Sequence, residues 1–285
     1  MYTIRKGGYD MKIKNKVKKN IYVYIFLIIL SIIILWPFFQ MVSTSFMTYE
    51  EAISSPPTLI AKSPGLDGYK SVFNTLPFLK LYLNSIITAS CRVVGTLITC
   101  TTAGYAFAKL QFPGKKVIFA GIMAIMMVPG QMFSLPQYLT MNAFGWLNSL
   151  KAIIIPNLFT AYGIFMMKQF YSAVPNELLE SARVDGASPI RIFYKIASPM
   201  VSPGIMVLGV QTAISAWNDL IWPLIVNSDI KKLTLPVSMA FMEGQHSSDI
   251  PTMMAAATMV VLPMIIVYIL VQKKFQNTGI GVAIK

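Results

Sequence analysis

The chain has 285 residues, 55% of them hydrophobic and 12% charged, with a mean hydropathy of +0.61. This excludes a soluble domain of ordinary composition and predicts an all-α, polytopic membrane protein. The net charge of +13 raises nucleic acid as a partner, but the basic residues gather at the ends of apolar runs, so no nucleic-acid partner is expected.

Taken in chain order, runs near the length that crosses a bilayer occupy residues 21–42, 81–108, 117–135, 152–167, 200–226 and 254–271, predicting six transmembrane helices. Before the first run stands a basic tail, 1–20, which contacts anionic lipid headgroups or serves only to fix topology. Residues 21–285 are expected to form a single transmembrane domain ending in a tail at 272–285. The first run has the flank of a signal peptide, yet no small-residue cleavage site follows before Trp36, so it is expected to be retained. Between the first two spans, Ser54-Ser55-Pro56-Pro57 and Ser63-Pro64-Gly65 break regular structure, and 69–79 suits a short interfacial helix. In the second span, Cys91 and Cys100 lie nine residues apart, about 13 Å along the axis and on opposite faces, which excludes a mutual disulfide. Gln111-Phe112-Pro113-Gly114 reads as a tight turn. Pro156 interrupts the fourth span. The connection 227–251 carries Asp229, Glu243, His246 and Asp249 and is expected to face solvent, with His246 an ordinary loop histidine. Met123, Met126 and Met127 lack accompanying Cys or His and read as adaptable packing rather than a metal set.

Basic residues divide unequally between the two sets of loops. Seventeen, including Arg5, Lys109, Lys168, Arg183 and Lys273, fall on the side of both termini, against six (Lys62, Lys70, Lys80, Lys151, Lys231 and Lys232) on the other. This bias predicts cytoplasmic termini. It also puts on the cytoplasmic side the one long polar stretch, ELLESARVDGASPIRIFYKIASP, within 175–199. Pro175 suits a helix start, Leu178, Leu179 and Ala182 repeat at helical spacing, and Gly186 is able to end that helix in a left-handed turn. Ser188 then suits an N-cap and Pro189 a first helical position, with Ile192, Phe193 and Ile196 as an apolar face.

This segment resembles the coupling loop of ATP-driven importer permeases, with Glu180-Ser181-Ala182, Gly186 and Ile196-Ala197-Ser198-Pro199 at the family's spacings. Ser181 and Ser198 stand where the pattern has alanine and leucine. Ala103-Gly104-Tyr105-Ala106-Phe107-Ala108-Lys109, Trp217-Asn218-Asp219-Leu220-Ile221-Trp222-Pro223-Leu224, Lys274-Phe275-Gln276 and Gly279-Ile280-Gly281-Val282-Ala283-Ile284-Lys285 are similar to segments of the carbohydrate branch, the maltose-type permeases. The resemblance implies a multi-pass protein of a prokaryotic cell membrane, partnered by a second homologous permease subunit, two ATP-binding subunits and an extracytoplasmic solute-binding protein. No G-x-x-x-x-G-K-[ST] is present, so ATP and Mg are expected only in the partner ATPase subunits, with no cofactor, metal or catalytic residue here. In the expected coupling segment, which also includes Glu177 and Ser181, Glu180 and Asp185 meet donors of the ATPase. Leu179, Ala182 and Ile192 fill its groove, with Gly186 setting the bend and Ile196 and Pro199 completing the pattern.

For the solute path, Ser85, Thr88, Arg92, Thr96 and Thr99 recur on one face of the second span. Arg92 lies about 18 Å from the outer end, where a lipid-facing charge is costly. It either hydrogen-bonds a sugar or ties down a neighbouring helix. Gln211, Ser215, Asn218 and Trp222 form a second stripe with Asp219 beside it, although Trp222 fits an interfacial aromatic belt better. On continuous helices Arg92 and Asp219 differ in depth by about 9 Å, so no pair is assigned. Rival readings are the same machinery carrying a polyamine or phosphonate, and an ATP-independent secondary transporter or channel, for which the cytoplasmic helix pair has no purpose. A membrane-embedded enzyme lacks any His, Asp or Glu cluster at catalytic spacing.

Overall fold

The computed structural model describes residues 7–246 and 249–277. Arg5, Lys6 and the tail motif from Gly279 to Lys285 lie outside them, as do the side chains of residues 7–20, His246, Lys273 and Lys274. The described secondary structure is entirely helical.

Helix α1 covers Gly7–Thr44, α2 Tyr49–Ala52, α3 Asp67–Thr75, α4 Phe78–Lys109, α5 Lys115–Met126, α6 Ser134–Ala143, α7 Leu150–Ile154 and α8 Ala161–Ser172. The second half continues with α9 Asn176–Val184, α10 Pro189–Ile192, a π-turn Phe193–Ala197, α11 Ser198–Met200, α12 Ser202–Trp217, α13 Ile221–Val226, α14 Leu235–His246 and α15 Ile250–Asn277. Four stretches are long and apolar enough to cross a membrane, Ile21–Thr44, Phe78–Lys109, Leu150–Ser172 and Ile250–Leu270, and two sharply bent pairs raise the number to six.

Three expected spans prove discontinuous, and proline explains two of the breaks. The third, expected over 117–135, runs through α5, stops before Pro129-Gly130, and resumes along Gly130–Ala143 at an angle of 104°. Pro156 splits the fourth into α7, a 3₁₀ turn at Ile155–Asn157, and α8, whose start is capped where Thr160 Oγ1 accepts the Gly163 N–H at 2.9 Å. The fifth, expected over 200–226, ends at Trp217 and restarts at Ile221. A hydropathy window sees only apolar content and passes over such breaks.

The chain divides into two compact units. One lies within Met1–Val72 and Ser247–Thr258. There Ser45 Oγ and Tyr69 OH share a hydrogen bond of 2.9 Å, Phe46 packs on Tyr69 with ring centroids 5.3 Å apart, and the Gly65 N–H donates to the Phe46 carbonyl. The expected interfacial helix is α3, which starts at Asp67 and ends at Thr75, before Pro77. The apolar residues of α1 from Ile21 to Phe38 are exposed.

The other unit lies within Phe73–His246 and Met259–Lys285 and is organised around α4. Helices α8 and α12 pack along α4. Inside a bilayer, close backbone approach rather than water exclusion drives such packing. Gly104 shows it: a Cβ there would sit 2.6 Å from Met167 Cβ and 2.9 Å from the Lys168 nitrogen. The connection after α13 exposes Asp229, Lys231, Lys232 and Glu243 as expected, but its apolar residues fold inward. Leu233, Leu235, Val237 and Met242 are buried, Asn84 Nδ2 donates to the Lys231 and Leu233 carbonyls at 3.1 and 2.9 Å, and Ser85 Oγ accepts the Leu235 N–H at 2.7 Å.

Candidate functional site: a polar helix pair and a cavity at three helix breaks

The polar segment is a helical pair with a hydrogen-bonded corner. Helix α9 ends at Gly186, whose φ of +79° is open to glycine at little cost. The Ala187 N–H donates to the Ala182 carbonyl at 2.9 Å and the Gly186 N–H to the Arg183 carbonyl at 3.0 Å, the paired bonds of a Schellman motif. Ser188 Oγ then accepts the Arg191 N–H at 3.3 Å and Pro189 occupies the first turn of α10.

Burial splits the candidate coupling residues into two faces. Leu179, Ala182 and Ile192 are buried and Ile196 is half-buried, in a core with Tyr105, Phe107, Met167, Tyr171 and Phe193. This corrects the expectation that Leu179, Ala182 and Ile192 fill a partner's groove. They fasten the segment to α4 and α8, each large aliphatic side chain contributing about 1.5–3 kcal/mol. The outward face carries Glu177, Glu180, Ser181, Asp185, Gly186 and Pro199. Its apolar members are Leu178, Val184, Ile190 and Tyr194, of which only Leu178 stood out in the sequence, as part of the helical repeat. Two further ties hold the base. Lys109 Nζ donates to the Val174 carbonyl at 2.5 Å and to Asn176 Oδ1 at 2.7 Å, and Tyr171 OH meets Ser198 Oγ at 2.9 Å.

In the membrane-spanning part, the polar stripe of α4 serves the broken helices. Ser85 receives the start of α14, Thr96 Oγ1 donates to the Asn157 carbonyl at 3.2 Å, and Thr99 Oγ1 donates to the Leu158 carbonyl at 2.6 Å. Arg92 Nη1 donates to Asp219 Oδ2 at 2.7 Å, with the side chains 9% and 18% exposed. The pair that helix depth had argued against is therefore formed. The depth estimate assumed a continuous fifth span, and the chain leaves its helix at Asn218, carrying Asp219 to Arg92. Carbonyls freed by helix breaks need partners in a low-dielectric setting, and the stripe supplies them.

The breaks converge on an open cavity of about 770 Å³. Its polar lining is Gln131, Ser134, Gln137, Asn157, Asn218 and Asp219, and its apolar walls include Phe133, Phe159 and Trp222. Of the eight candidate path residues only Asn218 and Asp219 line it. Ser85, Thr88, Arg92 and Thr96 are buried away from its lining, while Gln211 and Ser215 are exposed on α12. Trp222 is also corrected: it is buried, with Nε1 donating to the Ala152 carbonyl at 2.9 Å, rather than part of an interfacial belt. Gln131, Gln137 and Asn157 escaped the sequence reading. Their signal was a proline followed closely by an amide in mid-span, Pro129-Gly130-Gln131 and Pro156-Asn157. Among the described residues no cluster of three or more His, Cys, Asp or Glu gathers to hold a metal.

Comparisons with known proteins agree with this architecture. The arabinooligosaccharides transport system permease protein AraQ of Bacillus subtilis is 27% identical over 254 residues, 88% of this chain and 90% of that protein. The sn-glycerol-3-phosphate transport system permease protein UgpE of Pectobacterium atrosepticum is 28% identical over 271 residues, 92% and 96% of the two chains. The fold is shared with a chain in the crystal structure of a bacterial ABC transporter involved in the import of the acidic polysaccharide alginate. That likeness has a TM-score of 0.77 and 24% identity, over 96% of this chain and 100% of the other. Residues 100–277 match one family over most of the membrane-embedded unit, and the chain belongs to it: the binding-protein-dependent transport system inner membrane components.

Proposed function

We propose that this chain is one permease half of an ATP-driven, binding-protein-dependent importer of a carbohydrate, in a prokaryotic cell membrane. The observation that carries this reading is the 175–199 segment, fused through Leu179, Ala182 and Ile192 to the spans that hold the cavity and presenting a second face outward. A push on that outward face moves α4 and α8 as a body, because interiors packed this closely shift rather than deform. The partners are a second permease subunit, two ATP-binding subunits carrying ATP and Mg, and an external solute-binding protein. Glu177, Glu180, Ser181 and Asp185 meet the ATPase together with Val184 and Ile190, while Gly186 holds the corner and Ile196 and Pro199 its base. A carbohydrate cargo is supported by the amide-rich, aromatic-walled cavity and by the printed name of AraQ.

The test is reconstitution of the permease with its ATPase subunits and binding protein in proteoliposomes, supplied with neutral plant and starch oligosaccharides. Uptake should require ATP inside the ATPase-facing compartment and the binding protein opposite. Uptake driven by a proton or sodium gradient without the ATPase would overturn the reading in favour of a secondary transporter.

A further inference from the structure

Resting on the carbohydrate-permease reading, we propose that the cavity at the three helix breaks is this chain's solute subsite and that it admits an uncharged polyhydroxyl cargo rather than an anion. The lining decides the charge. Gln131, Gln137 and Asn218 offer paired donors and acceptors without charge, Asn157 adds its Oδ1 while its Nδ2 donates to the Ile153 carbonyl at 3.0 Å, and no lysine, arginine or histidine joins them. The one ionised lining residue is Asp219, and Arg92 meets its carboxylate from behind at 2.7 Å, outside the lining. Arg92 is thus a positioning residue spent on Asp219, and it offers no free cation to a cargo.

An anion entering here would give up hydration between apolar walls and find no positive charge, which is strongly unfavourable. A neutral sugar meets what it needs. Each hydroxyl is a donor and an acceptor, as is each side-chain amide, and the C–H faces of a pyranose or furanose lie well against Phe133 and Phe159. The volume falls within the usual range for small-molecule sites. The backbone suits the role as well. Irregular backbone at membrane depth is tolerated where it lines a water-filled cavity, and discontinuous helices mark binding sites in transporters. The cargo expected here therefore differs from the sn-glycerol-3-phosphate and acidic alginate in the names of two similar transporters.

The experiment uses cells expressing the whole transporter. They receive a mixture of neutral oligosaccharides from arabinan, xylan and starch, together with oligogalacturonates and sn-glycerol 3-phosphate, and mass spectrometry follows what leaves the medium. Neutral oligosaccharides should be depleted and both anions should remain. Gln131→Leu and Gln137→Leu, at exposed positions where folding is not at stake, should each slow that depletion about tenfold at unchanged complex abundance, the scale of a lost neutral hydrogen bond. Depletion of the uronates or the phosphate overturns the uncharged cargo and leaves the permease reading standing. Neutral uptake at the wild-type rate in both glutamine variants overturns the placement of the subsite. If no saccharide is depleted, the carbohydrate reading itself falls, and this inference with it.

Discussion

A guanidinium inside a membrane span persists only where its charge is met, and in this chain the partner comes from a helix break rather than from a helix face. Arg92 and Asp219 lie 127 residues apart, and their contact pins the turn between α12 and α13 against α4. Breaking a buried pair by removing one partner costs about 3–5 kcal/mol, much of it the penalty of leaving the other charge alone. Arg92→Gln should therefore lower the thermal stability of the purified complex and depress uptake of every cargo alike. Arg92→Gln combined with Asp219→Asn should recover most of that stability, because two neutral amides are cheaper there than one bare carboxylate. Thermal unfolding of wild type, both single variants and the double variant measures the coupling directly. Additive losses in the double variant would show that the two residues act separately. A defect confined to charged cargo would instead make Arg92 an anion receptor.

At the scale of elements, the polar segment was the most legible part of the chain because its rules are local. Pro175, Gly186, Ser188 and Pro189 each act within one helical turn, and the Schellman bonds and the Ser188 cap appear where those residues predict them. Which of its faces turns inward was not legible. Leu178 and Leu179 are neighbours of identical chemistry, and only packing against Tyr105 and Tyr171 on other helices buries one and exposes the other. The same limit applies to the spans. Six apolar runs were readable, but Pro129 and Pro156 do not announce how far the chain turns, and Asn218 ends α12 with no proline at all. The corner itself gives a clean test, because a Cβ added at Gly186 meets nothing within 4 Å and only the backbone conformation resists it. Gly186→Val should strain the left-handed turn by about 1–2 kcal/mol and open the angle between α9 and α10. Solute-stimulated ATPase activity and uptake should then fall together while the permease still inserts. Gly186→Asn, which tolerates that conformation, should retain most of both. Equal loss with Asn and Val would mean that the residue's space, rather than its backbone, matters.

For the whole molecule, one asymmetry orders everything else. Seventeen basic residues stand on the side of the termini and the coupling segment and six on the other, a bias that opposes translocation of the richer loops. The exposed apolar side chains between Ile21 and Phe38 have no place in water, so α1 must meet lipid or another subunit. Together these predict an orientation that thiol labelling reads directly. Cys91 and Cys100 are the only cysteines, so replacing both by alanine leaves a silent background. In that background Asp185→Cys, on the exposed corner of the 175–199 helix pair, should react in intact cells only with membrane-permeant reagents. Lys62→Cys, exposed in the connection between the first two spans, should react with impermeant ones. Labelling of Asp185→Cys from outside would invert the topology. The outward face of the 175–199 segment would then lie on the side where no ATP is available, and the coupling role would go with it.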